Sequence, residues 1–402
     1  MYAKNPAVNI TRRIFIKLLL VVGGLLSIFK ATTLFASNSS SALIRKNQTG
    51  NMNKICTFSP AVVCVHSGKA TRWDYASYPY VDSIEQDIVN DMLNKGVMLL
   101  TGEKSKKLAW ECLFESYKKG DVIAIKPNFN DLHKEFRNNY VASPAVLNSI
   151  IEQLVEILNV PTGDIMIYDC SRNIPDSYRN RIKYPVKFIE PYGSSFMRKV
   201  IYRTIGNPLP EADMGVEIKM THDIKNKKGE MVKCYLPKVI TDADHLINVP
   251  ILKSHQFVLA SGALKNHYGT VRFSDGHKNP EYLHPPIIHE SIADINEHAQ
   301  LREKTRLIVM DALFGRIKKK GGYPDKWKIF DNNDPNRLFL SCDPVALDSV
   351  TSFFIKKELS VRNEDYYSDD YLRMASDKNI GIYEIPEMSE DFSKINFRHY
   401  DL

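Results

Sequence analysis

Asp121-Val122-Ile123-Ala124-Ile125-Lys126-Pro127-Asn128 opens the stretch that decides the fold. Val122 to Ile125 are apolar without alternation, the pattern of a strand covered on both faces. The chain turns polar at Lys126-Pro127-Asn128. Ser143-Pro144 follows, a serine N-cap with proline at the first helical position. Val146, Ile150, Ile151, Leu154, Val155 and Leu158 then recur at helical spacing. Gly163 precedes a second apolar run, Ile165-Met166-Ile167-Tyr168-Asp169. Strand, helix and strand in this order predict an α/β fold: a mixed or mostly parallel sheet with helices on both faces.

The same alternation extends outward. Ala61 to His66 reads as a strand, Ser83 to Lys95 as a helix opened by a Ser83/Gln86 capping box, and Lys104 to Lys118 as a second helix. Downstream strands are expected at Cys234–Leu236, His245–Val249, Leu307–Asp311 and Leu338–Leu340. A helix is expected from Pro344 to Lys357 with Asp343 as its N-cap. Between them, 171–232 is polar, rich in Pro, Gly, Lys and Arg, and reads as an insertion. The chain thus divides into a leader (1–36), a Ser- and Asn-rich linker (37–58), one large α/β domain (59–385) and a tail (386–402).

The net charge of +7 over 402 residues suggests an anionic partner until its location is considered. Residues 1–36 hold Lys4, Arg12, Arg13, Lys17 and Lys30 and no acid. Their apolar run, Leu18 to Phe29, is too short to span a bilayer, which takes about 20 residues. Basic segment, short apolar run and small polar residues form the layout of a signal peptide. Arg12-Arg13 with Phe15 and Lys17 resembles a twin-arginine export signal. The expected location is therefore the periplasm or cell envelope, with the twin-arginine machinery as a partner. Without these residues the charge falls to +2, which excludes a strong electrostatic footprint for nucleic acid.

Candidate chemistry gathers where strands end, because open α/β sheets bind ligands beyond their carboxyl ends. Lys126, Asn128, Asp169, Lys253, His255 and Asp311 all fall at such ends. Seven of the eleven histidines lie between His245 and His298. None has the H-E-x-x-H spacing, but two or three of them with Asp294 are candidate ligands for a divalent metal. Ser261-Gly262-Ala263-Leu264-Lys265-Asn266-His267-Tyr268-Gly269 brackets Lys265 and Asn266 with glycines, which let backbone approach a ligand closely. A short helix closed by glycine explains the same residues equally well. The six cysteines, at 56, 64, 112, 170, 234 and 342, contain no C-x-x-C, so no iron–sulfur motif is present. G-x-G-x-x-G, Walker and G-x-S-x-G motifs are absent too.

The order of these segments resembles the proteins carrying the domain of unknown function 362. The resemblance rests on Lys126-Pro127-Asn128, the run Asp242 to His255, Ala263 to Gly269, His289 to Asn296, Val309-Met310-Asp311-Ala312, and Ser341 to Asp348. It implies a bacterial or archaeal α/β domain, sometimes exported and sometimes joined to a ferredoxin-like module, whose clustered cysteines this chain lacks. It also implies a shared site among Lys126, Asn128, Lys253, His255, Lys265, Asn266, His289, Asp294, Asp311, Asp343 and Asp348. The expected function is an exported enzyme for a small anionic substrate, a phosphate or carboxylate. Lys265, His255 and His289 are the expected catalytic groups. Lys126, Asn128, Lys253 and Asn266 are expected to bind the substrate, and Asp294, Asp311 and Asp343 a divalent metal. A non-catalytic solute-binding or redox-partner protein of the cell envelope is the alternative.

Overall fold

The computed structural model describes residues 60–130, 139–190, 212–277, 279–317, 322–387 and 389–402. The expected leader and linker, 1–58, lie outside them. The principal strands are β1 (Ala61–His66), β2 (Ile123–Pro127), β3 (Ile165–Tyr168), β4 (Lys187–Ile189), β5 (His245–Val249), β6 (Ile251–Lys253), β7 (Thr305–Arg316), β8 (Arg337–Ser341) and β9 (Asn396–Asp401). They form one nine-stranded sheet in the order β9-β1-β8-β7-β5-β2-β3-β4, with β6 also paired to β7. Every pairing is parallel except those of β8 with β1 and β7. The expected α/β sheet, mixed and mostly parallel, is therefore present.

Two apolar layers cover it. Ile123 and Ile125 of β2, Ile247 of β5 and Val309 of β7 face one core. That core is completed by helices α1 (Gln86–Thr101), α2 (Lys106–Leu113) and α3 (Pro144–Glu156). Ala124, Leu246 and Tyr168, at the alternate positions, face a second core. It includes α4 (Ala263–Asn266), α5 (Ile288–Glu297) and, further along the chain, α7 (Asp370–Asp377). Helix α6 (Pro344–Arg362) packs over the β1, β7 and β8 part of the same face. Strand periodicity thus explains why the central runs lack alternation in hydropathy: both sides are buried.

Local signals held at some helix starts and failed at others. Ser143 caps α3 through its Oγ, which accepts from the Val146 N–H at 3.4 Å, with Pro144 inside the first turn. Asp343 caps α6, accepting from the N–H groups of Val345 and Ala346. The Ser83/Gln86 capping box does not form. Ser83 Oγ donates to the Tyr80 carbonyl, α1 starts at Gln86, and the Gln86 amide reaches Ala145 and Ser149 of α3 instead. Part of the expected insertion also belongs to the sheet: Lys187–Ile189 is its edge strand beside β3. Strand β7 runs five residues beyond Asp311 because it pairs with β5 and then β6 across Pro250. Asp311 is therefore inside the sheet rather than on its rim. No described helix is long and apolar enough to cross a membrane.

Candidate functional site

Strand alternation fixes the floor of the site. Lys126 of β2 and Asn248 of β5 are register partners, so their side chains share the face that carries α4. Asn266 of α4 donates to the Lys126 carbonyl at 2.9 Å and to Asn248 Oδ1 at 2.7 Å, tying the helix to both strands. Asn248 in turn donates to the Ala263 carbonyl. Beneath them His267 lies against Thr270 and Asn248, and burial together with Lys126 draws its pKa down to about 3. This imidazole is a neutral structural group.

The wall beside it is an ion pair. Lys126 Nζ donates to Asp169 Oδ2 at 2.9 Å and to the Pro127 carbonyl at 2.8 Å, and both side chains are buried. Asp169 Oδ1 also accepts from Ser171 N, Ser171 Oγ and Arg172 N, which folds the chain after β3 into a turn. The carboxylate is thus saturated. Gly269 packs directly on the pair: a Cβ there would lie 2.8 Å from both Asp169 Oδ2 and Lys126 Nζ.

The glycine at the other end of the motif serves α4. The N–H groups of Ala263 and Leu264 donate to the Asp348 carboxylate at 2.6 and 3.0 Å. Burial raises Asp348 to about 7 against the pull of those two donors. A Cβ on Gly262 would sit 2.1 Å from Asp348 Oδ1. Gly262→Ala is expected to lower stability by about 1–3 kcal/mol, the range for overpacking a tight contact. Urea denaturation of the variant checks this, and an unchanged midpoint contradicts the geometry.

These elements enclose a cavity of about 280 Å³. Lys126, Asn128, Arg172, His255, Lys265 and His284 supply its chemistry. Lys265 is 8% exposed, with Nζ over the Tyr268 ring at 4.1 Å and no carboxylate within ion-pair distance among the described residues. Burial, then Lys253 and Arg172, draw its pKa down to about 7. Burial and the neighbouring lysines Lys265 and Lys253 also hold His255 well below the usual imidazole range. His255 Nδ1 accepts from the Phe257 N–H at 3.2 Å. Its neutral ring therefore carries the proton on Nε2 and offers a donor without a charge. His284 is drawn down to about 4, first by burial and then by Lys265.

Of the residues expected to form the site, Lys126, Asn128, His255, Lys265 and Asn266 come together around this cavity. Lys253 does not line it but is near enough to depress Lys265. His289 is elsewhere: on α5, it accepts from the Tyr371 N–H and stacks on that ring. The three aspartates are dispersed among backbone donors. Asp294 accepts from Thr221 N and Oγ1 and pairs with Lys378. Asp311 accepts from the N–H groups of Ser143 and Leu313, and burial raises its pKa. Asp343 holds the start of α6 and the Ile382 N–H. Among the described residues they form no common ligand set with one another or with the histidines of 245–298.

The site and fold define a mostly parallel α/β protein with a cation-lined cavity at the carboxyl ends of β2 and β3. Residues 123–352 match the family described as a domain of unknown function, DUF362, and the chain belongs to it. The matched stretch contains every residue lining the cavity. No match is found among the curated proteins.

Proposed function

We propose that the chain is an exported enzyme that binds a small carboxylate or phosphate in this cavity and moves a proton on it. The observation that carries the reading is Lys265, a buried amine with no carboxylate partner among the described residues, in a cavity with Lys126 and Arg172. As an ammonium it attracts the anion, and as an amine it takes up a proton. With its pKa near 7 both forms are populated under ordinary conditions. Lys126 is committed to Asp169, so its part is to supply fixed positive field. Neutral His255 supplies an N–H to the ligand. Asp294, Asp311 and Asp343 have no role in this reading, because none lines the cavity. The Arg12-Arg13 segment supports export, as does Cys342, which is disulfide-bonded.

One observation favours solute binding without turnover. Both carboxylates lining the cavity are engaged, Asp169 by four donors and Glu281 by Lys227 and His277. Calorimetry with succinate and inorganic phosphate separates these readings from no function at the site. Succinate is the cleaner pH probe, since its charge is constant above about pH 7. Above pH 7 its affinity is expected to fall about tenfold per unit, as Lys265 loses its proton. No saturation with either anion overturns anion binding at this site. Binding without deuterium uptake from D2O into any bound carboxylate selects the solute-binding reading.

A further inference from the structure

We infer that the chain carries a second, separate site: a divalent transition-metal site formed by His66, His399 and Asp401 at the other side of the sheet. It lies on β1 and β9, separated from β2 by β8, β7 and β5. It also lies outside the stretch shared with the family, 123–352.

The placement follows from strand geometry. His66 ends β1 and is the register partner of Asp401 on parallel β9. His399 precedes Asp401 by two residues and so shares its face. His66 Nδ1 lies 2.7 Å from Asp401 Oδ1, and His399 Nε2 lies 3.7 Å from the same oxygen. One donor atom from each residue falls within 4.8 Å of the other two. A zinc ion with bonds of about 2.0–2.1 Å holds tetrahedral donors about 3.4 Å apart. The observed spacings bracket that value, and His399 and Asp401 are exposed, so small side-chain rotations close the set.

Donor chemistry selects the ion. Two imidazoles and one carboxylate suit Zn²⁺, Co²⁺ or Ni²⁺, whereas Mg²⁺ and Ca²⁺ prefer all-oxygen sets. Two further charges face the group. Arg337 opposes a cation and Glu390 favours one, and both influence His399. Arg337 is partly withdrawn, since it stacks over Phe330 at 4.0 Å and donates to the Pro335 carbonyl. Cys64, the register partner of His399, is buried and its thiol is pushed up to about 12, so it is no ligand. Among the described residues β9 is an edge strand paired only with β1. A metal bridging the two strands would pin that edge to the sheet.

The test uses the full chain, stripped with a chelator and titrated with Zn²⁺ and with Mg²⁺. One equivalent of Zn²⁺ is expected to bind and to raise the melting temperature, while Mg²⁺ does neither. His399→Asn, at an exposed position, is expected to weaken Zn²⁺ binding by about 100-fold or more. His66→Asn is expected to do the same, and the metal-free variants should melt close to the parent. Absence of saturable Zn²⁺ binding overturns the inference, and so does stoichiometric binding that survives both substitutions.

Discussion

Lys265→Met is expected to make the unliganded protein more stable and to abolish its response to anions. Lys265 titrates near 7 in the fold and near 10.4 in the unfolded chain. Between those values the unfolded chain binds the extra proton, so stability of the parent rises with pH across that window. Below pH 7 the whole cost of a buried charge beside Lys253 and Arg172 is present. Above about pH 10.4 it is gone. Methionine has a similar shape and no charge, so the variant should gain on the order of 3 kcal/mol at pH 6 and progressively less towards pH 10. The loss of the contact with the Tyr268 ring offsets part of this, by about 1 kcal/mol. Urea denaturation at pH 6 and pH 9 reads the difference, and succinate titration reads the function. A variant less stable than the parent at both pH values shows that Lys265 is not a burdened charge. A variant that still binds succinate as the parent does removes Lys265 from the site.

Much of this site was legible because its signals are local. Lys126 and Asn128 stand where a strand buried on both faces turns polar, and Lys265 and Asn266 stand between two glycines. Both glycines have a geometric cause that the sequence could not supply: Asp348 and the Lys126–Asp169 pair occupy the space of their missing side chains. Arg172 and His284 were hidden for the opposite reason. Arg172 is placed by a turn wound around Asp169, and His284 by a loop, so neither follows a hydropathy period. Asp169 reads in sequence as a strand-end residue, yet its partner lies 43 positions away in the chain. The expected metal ligands illustrate a further limit. An aspartate before or within an apolar segment looks alike in sequence whether it meets a cation or a row of backbone N–H groups. Here Asp311 and Asp343 meet backbone N–H groups, and Asp294 meets Thr221 and the Lys378 ammonium. The end of β7 depends on pairing with β6 and β8 past Asp311, which a run of apolar residues alone does not show.

Asp169→Asn is expected to be among the most damaging single substitutions in the domain. It leaves the Lys126 ammonium buried with the Pro127 carbonyl and a neutral amide, and breaking a buried pair in this way costs about 3–5 kcal/mol. It also weakens the turn that presents Arg172, since Ser171 and the Arg172 N–H lose a charged acceptor. Stability and anion binding should therefore fall together. The double variant Lys126→Met, Asp169→Leu separates the two effects. With no charge left to desolvate, it should recover most of the lost stability, because apolar replacements of a buried pair are often neutral or better. Binding of succinate should not recover, since the field from Lys126 and the turn at Ser171–Arg172 are both gone. Chemical denaturation and calorimetry on the parent and the two variants make the comparison. If the double variant is as unstable as Asp169→Asn, packing against Gly269 rather than charge holds this corner together. If it is stable and still binds, the anion is held by Lys265 and its neighbours without the pair. If it is stable and does not bind, the ion pair exists to build the site rather than to hold up the fold.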